Sequence, residues 1–373
     1  MRYLIVIVVL FVFGSYCYGQ DTVKQEAKPT PQSNFNDYQN NEQNTEELQI
    51  LDQQAAKKVE EARKEQAVKQ RLHIEAVYVK PLPALHPEII VLNQLPGLPP
   101  VKDRVTGGPS QYDSRIDVRA LDPSQPWTKG ILRNSLSVAV VVSKTKLRKI
   151  SPGFYQIDDS STLGSTYQLC PGEAFKDQPV LGTGTAIVTG KRQLLTAAHV
   201  FAAPVDQYAV IFGFEILNKK GAYKRIIPAD SVYFPVNIVR QSQNLDIAVF
   251  TVDRDMNTQP LKWSVQENLP VGEEIYMIGF PYGLPMKVAA NASIVSNSDV
   301  FDFYAALDAF AGNSGSPVFD LKTNQVIGIL VSGGVDFQWN GTCNTSTICS
   351  IPFCPGEKAI RITSIKNLLF NGN

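Results

Sequence analysis

Ser137-Val-Ala-Val-Val-Val142 is the first of a series of short β-branched runs whose repetition decides the fold class. Thr185-Ala-Ile-Val188, Tyr208-Ala-Val-Ile-Phe212, Ile247-Ala-Val-Phe-Thr251, Ile275-Tyr-Met-Ile278 and Val326-Ile-Gly-Ile-Leu-Val331 follow it, separated by Gly, Pro, Asn and Asp. Branched side chains suit a pleated surface, and the residues between the runs are those that turn a chain. No long helices alternate with them. The reading is an all-β domain, barrel or sandwich, from about Val105 to the end at residue 373. Ala359 to Phe370 is predicted to close the domain as a short helix.

Upstream of Val105 the composition changes. Residues 20–44 are rich in Gln, Asn, Asp and Lys, too poor in apolar surface to offset chain entropy, and are predicted to be disordered. Asn44 and Glu47 form a capping-box pattern, and a helix is predicted from about 45 to 73, with Leu48, Leu51, Ala55, Val59 and Ala62 on one side. That helix could serve as an oligomerisation arm, a role that does not exclude catalysis elsewhere. Prolines recur between Pro81 and Pro100 too often for helix or central strand. Residues 20–104 therefore read as a pro-segment or spacer. The first nineteen residues read as a secretory signal: Arg2, the apolar run Leu4 to Phe13, then small or polar residues to Gly19. Ten apolar residues are too few for a membrane-spanning helix, which needs roughly 20. The mature protein is expected to be secreted and extracellular, with no membrane attachment.

Thirty-five basic residues balance thirty-five acidic ones, so nothing in the charge points to nucleic acid or an anionic membrane as partner. Once Cys17 leaves with the signal, Cys170, Cys343, Cys349 and Cys354 remain, an even number suited to disulfides in an oxidising compartment. Zinc is the weaker reading, because paired C-x-x-C units and a nearby histidine are missing. Four cysteines allow three pairings. The loop from Cys343 to Cys354 is expected to be a disulfide-stapled surface excursion. Asn291, Asn340 and Asn344 begin glycan-acceptor sequons. No cofactor motif, phosphate-binding loop or metal-ligand cluster is present in the sequence.

Three segments carry chemistry. Leu194-Leu-Thr-Ala-Ala-His-Val200 sets a histidine just after an apolar run, and Asn244-Leu-Asp-Ile-Ala-Val-Phe250 leads a carboxylate into a strand. Gly312-Asn-Ser-Gly-Ser-Pro317 holds a serine in a glycine-rich turn. Cleaving a peptide bond at neutral pH needs a nucleophile, a base for its proton, and donors aimed at the carbonyl oxygen as it becomes negative. Of three histidines in the chain, His73 and His86 lie upstream, which leaves His199 alone in the β domain. The conjunction carries the weight, since each segment alone has an ordinary structural explanation.

The order TAAH, D-I-A, GNSGSP resembles the trypsin-like serine peptidases, nearest to the bacterial-type branch that includes the glutamyl endopeptidases. Supporting stretches are Leu169-Cys-Pro-Gly-Glu-Ala-Phe-Lys-Asp-Gln-Pro179, Gly279-Phe-Pro-Tyr-Gly-Leu-Pro285 and Gly328-Ile-Leu-Val-Ser-Gly-Gly334. The resemblance implies two packed six-stranded β-barrels and a secreted serine endopeptidase acting on polypeptides. In it His199, Asp246 and Ser314 are the triad, and the amides of Gly312 and Ser314 the oxyanion hole. It further implies a substrate-pairing edge at Val331, Ser332 and Gly333. Asp308, six residues before Ser314, stands where trypsins carry the carboxylate that binds basic side chains, although Phe310 replaces the neighbouring cysteine. Leu330 stands where glutamyl endopeptidases carry a histidine. Arg104-Val105 looks like a processing site and Arg115-Ile116 a second one. Asn313 lacks the charge with which digestive trypsins capture a freed amino terminus. The rival reading is a trypsin-fold binding protein without activity.

Overall fold

The computed structural model describes Lys57, residues 113–348 and residues 355–369. Val138–Ser143 shows why its residues form a strand. Five consecutive apolar side chains are buried there, the pattern of a strand covered on both faces. It lies inside a seven-stranded antiparallel sheet ordered Pro235–Ser242, Ile247–Val252, Gln193–Ala197, Gly184–Val188, Val138–Ser143, Tyr208–Phe212 and Val232–Tyr233. Among the described residues no ladder joins the two edges of this sheet.

The second sheet does close. Its order is Arg115–Asp117, Lys287–Ser296, Glu274–Gly279, Pro317–Asp320, Val326–Ser332, Glu357–Arg361 and Asp302–Ala305. The last strand pairs back onto Lys287–Ser296, with Ile294 opposite Ala305, so six strands form a barrel and Arg115–Asp117 is an added outer strand. The mostly β, two-barrel architecture expected from the sequence is met, with the amino-terminal unit a curled open sheet. One apolar cluster joins the two units, with Val140, Ile187, Leu195 and Phe250 from the first and Tyr276, Ile278, Phe319 and Ile329 from the second. Fully burying each such side chain contributes roughly 1.5–3 kcal/mol. A second cluster, including Met277, Phe303, Leu307 and Leu330, fills the closed barrel.

The predicted closing helix is corrected in part. Glu357–Arg361 is a strand, held between Asp302–Ala305 and Val326–Ser332, and helix begins only at Lys366–Leu369 after a 3-10 turn. Pairing on both sides overrides the weak helical pattern. Lys57, inside the predicted helix of the upstream segment, is helical. The rest of that segment, the signal and the Arg104-Val105 bond lie outside the described residues. No helix among the described residues is long and apolar enough to cross a membrane.

Candidate active site

Strand register brings the histidine and the carboxylate together. Gln193–Ala197 pairs antiparallel with Ile247–Val252, and Ala197 stands opposite Ile247. One step beyond, the Ala198 N–H donates to the Asp246 carbonyl at 2.9 Å. The chain then makes a single 3-10 turn, Ala198–Val200. There the His199 backbone N–H donates to Asp246 Oδ1 at 2.9 Å, and Nδ1 lies 2.5 Å from Oδ2. Asp246 itself adopts φ 55°, a left-handed conformation that aspartate tolerates better than most residues.

The serine arrives from the other unit. Gly312 and Gly315 take φ 86° and 88°, which fold the turn around Ser314. A Cβ on Gly315 would fall on the Thr185 carbonyl, so only glycine lets this turn rest on the strand Gly184–Val188. Thr185, fully buried, grips the turn twice: its N–H donates to the Ser314 carbonyl at 2.9 Å and its hydroxyl to the Gly312 carbonyl at 3.0 Å. The Gly315 N–H donates to the Leu330 carbonyl at 2.8 Å. Ser314 Oγ thereby sits 2.8 Å from His199 Nε2. The structure brings all three predicted side chains into one continuous relay.

The hydrogen bond to the Asp246 carboxylate raises the His199 pKa above its ordinary value, against an opposing effect of burial. The side chains of His199 and Asp246 are 51% and 29% exposed, so the site is open to a ligand. A neutral imidazole here can accept the Ser314 proton while the carboxylate steadies the cation that results. Among the described residues the amides of Gly312 and Ser314 have no hydrogen-bond acceptor, as donors reserved for a ligand would require. No group of three His, Cys, Asp or Glu side chains suited to a metal gathers among the described residues.

Other predicted residues fall differently. Asp308 is 2% exposed and its Oδ2 accepts the Ser114 N–H at 2.5 Å, so it braces the chain instead of lying free at a pocket floor. Val331 is buried, and Ser332 and Gly333 are exposed at the end of the strand Val326–Ser332, which pairs there with Lys358 on one side. Cys170 bonds to Cys343, which removes the expected Cys343–Cys354 staple. Cys349 and Cys354 lie outside the described residues. Asn291 is buried within the strand Lys287–Ser296, so a glycan there is incompatible with the packing. Asn340 is exposed, while Asn344 donates from its side chain to the Tyr167 carbonyl at 2.7 Å. The Arg115-Ile116 bond, in a paired strand with Arg115 7% exposed, is no processing site in the folded domain.

Three residues around the site were missed from sequence. Thr185 is described above. The Asp336 carboxylate accepts the Ala311 N–H at 2.8 Å and the Tyr282 hydroxyl at 2.6 Å, and burial raises its pKa. Glu357 lies against Gly333, where any added Cβ would strike its carboxylate, and burial pushes that carboxyl up to about 8. Each is an ordinary polar residue in its local sequence. Only the strand preceding the TAAH motif offered a signal, and only for Thr185.

Parts of this chain are similar to known proteins. Protease Do-like 1, chloroplastic, of Arabidopsis thaliana is 29% identical over 161 residues, 40% of this chain and 32% of that protein. A probable periplasmic serine endoprotease DegP-like of Rhizobium meliloti is 29% identical over 115 residues, 29% of this chain and 23% of its own length. The chain thus spans about a third or less of these relatives. The Vibrio cholerae VesB protease structure aligns with TM-score 0.40 at 16% identity, covering 63% of this chain and 64% of that one. Residues 182–329, which contain His199, Asp246 and Ser314, match the family model of the trypsin-like peptidase domain.

Proposed function

We propose that the protein is a secreted serine endopeptidase whose nucleophile is Ser314. The observation that carries this reading is the unbroken relay from Asp246 Oδ2 through His199, 2.5 Å and 2.8 Å, to Ser314 Oγ. Ser314 Oγ attacks the scissile carbonyl carbon as its proton passes to His199 Nε2. The carbonyl oxygen takes the negative charge and receives the amides of Gly312 and Ser314. Collapse expels the amine, which carries away the proton from His199 and leaves an acyl-enzyme. Water, deprotonated by the same imidazole, then releases the carboxylic acid and restores the hydroxyl. Asp246 fixes the imidazole tautomer and stabilises its charged form throughout.

The substrate is a polypeptide, paired along Val331, Ser332 and Gly333. Because Asp308 is engaged by Ser114, a preference for basic side chains does not rest on it. Secretion is supported by the signal-like first nineteen residues and by the Cys170–Cys343 disulfide. Residues 20–104 are a pro-segment cut after Arg104, or else an uncut spacer, before the peptidase domain 105–373, and Asn340 is the accessible glycan acceptor. The test is a peptide library offered to the purified protein and to Ser314→Ala. Cleavage by the parent alone is expected; equal cleavage by the serine variant overturns the assignment, and cleavage by neither favours a binding protein.

A further inference from the structure

The segment Asp113–Asp117 does not merely lead into the domain; it is fastened to the approach to the nucleophile. The Ser114 N–H donates to Asp308 Oδ2 at 2.5 Å. The Arg115 guanidinium lies 3.8 Å from the centre of the Phe310 ring and 5.0 Å from that of Phe175. Its Nε and Nη2 bond the Asp113 carboxylate at 2.8 Å and 2.7 Å. Asp117, two residues on, takes the buried Lys287 ammonium at 2.5 Å. Asp308 and Phe310 lie six and four residues before Ser314, and the next amide, that of Ala311, is held by Asp336. Asn313, buried beside the nucleophile, has no partner for its side-chain nitrogen or oxygen among the described residues, and it holds the turn only through its backbone, its N–H donating to the Phe310 carbonyl at 3.0 Å.

We propose that Ser114 and Arg115 are positioning residues for the turn Ala309–Ser314. They hold Asp308 and Phe310, and through them the Gly312 and Ser314 amides, in working geometry while the chain is still uncut. No freed amino terminus is required, and a cut after Arg104 releases the domain without switching it on. The inference rests on the peptidase reading. A desolvated cation stacked on a ring, with charge-assisted hydrogen bonds behind it, is among the stronger side-chain anchors. Loss of one oxyanion donor lowers kcat about 10²–10³-fold, so a displaced turn should forfeit part of that.

The test compares the full chain with Arg115→Ala, Arg115→Lys and Arg104→Gln on a chromogenic peptide substrate and with a fluorophosphonate probe. Arg115→Ala is expected to lose about 10–100-fold in kcat with KM nearly unchanged, and to label more slowly by a similar factor. Arg115→Lys, which keeps the charge, recovers part of the loss. Arg104→Gln, kept whole as read by intact mass, has the kcat/KM of the cut enzyme. Parent-like kcat in Arg115→Ala overturns the inference, as does an uncut Arg104→Gln chain that is inert until a protease cuts it. Should Arg115→Ala not fold, Phe310→Leu removes the stacking face alone; a several-fold fall in kcat supports the role and an unchanged kcat sinks it. A parent that neither cleaves nor labels overturns the peptidase reading and this inference with it.

Discussion

Replacing Glu357 by Gln should make the protein more stable in base and leave it nearly unchanged in acid. Glu357 is 3% exposed, with the Gly334 N–H donating to Oε1 at 3.5 Å. Burial, reinforced by the Asp336 and Asp308 carboxylates, raises it from 4.5 to about 8. A carboxyl raised in the folded state stays protonated there while the unfolded chain has already ionised. Folding stability is therefore fully retained below pH 4.5 and lost as pH climbs toward 8. Each unit of difference is worth about 1.36 kcal/mol, so the loss reaches about 4 kcal/mol near pH 8, against a typical total of about 5–15 kcal/mol. The assay is urea unfolding of the parent and Glu357→Gln at about pH 4 and pH 8, followed by near-ultraviolet circular dichroism. Other titrating groups are common to both proteins and cancel in the difference. The stability of the variant relative to the parent should grow by about 4 kcal/mol between the two pH values. A difference that stays constant with pH refutes the reasoning, since it means that Glu357 ionises equally in both states.

The remaining predictions concern the relay and its supports. Asp246→Asn should lower kcat by about 10⁴-fold in a folded protein, because the amide no longer fixes the imidazole tautomer. The same change should move the acid limb of kcat/KM to lower pH, since the Asp246 hydrogen bond is the chief cause of the raised His199 pKa and only the neutral imidazole accepts a proton. Parent-like kcat, or an acid limb that does not move, counts against the relay. Cys343→Ser opens a bridge across 173 residues and should cost about 2–5 kcal/mol of stability, read as a lower thermal midpoint under oxidising conditions. An unchanged midpoint would show that this bridge constrains little. Gly315→Ala puts a Cβ on the Thr185 carbonyl at φ 88° and should abolish activity while Ser314 remains present; an active variant would mean that the turn does not need this contact.

His199, Asp246 and Ser314 could be singled out because each sits at the boundary of an element that sequence pattern marks clearly. His199 follows an apolar strand, Asp246 precedes one, and Ser314 lies between two glycines. Strand pairing then brings His199 to Asp246, and Thr185 fixes the turn that carries Ser314. What was not legible depends on contacts between residues far apart in the chain. Asp308 suits a pocket floor by its spacing from Ser314, yet Ser114, 194 residues earlier, takes its oxygen. Glu357 and Asp336 gain their character from burial that no local pattern encodes. Four cysteines allow three pairings, and only the nearness of the Gln168–Cys170 and Cys343–Asn344 backbones selects Cys170 with Cys343. The Asn291 sequon is buried in its strand, and the alanines around it are the local clue to that packing. Arg115-Ile116 has the letters of a cleavage site, but ladder bonds to Lys287–Ala289 withhold the backbone from a protease.

The most direct measurement is the site and pH dependence of covalent labelling by a fluorophosphonate, located by peptide mass spectrometry. A single adduct on Ser314 is predicted, forming faster as His199 loses its proton and disappearing in His199→Ala although the serine is retained. A folded protein whose Ser314 stays unmodified, or is modified equally fast without His199, would contradict the claim that these side chains act as one nucleophilic unit.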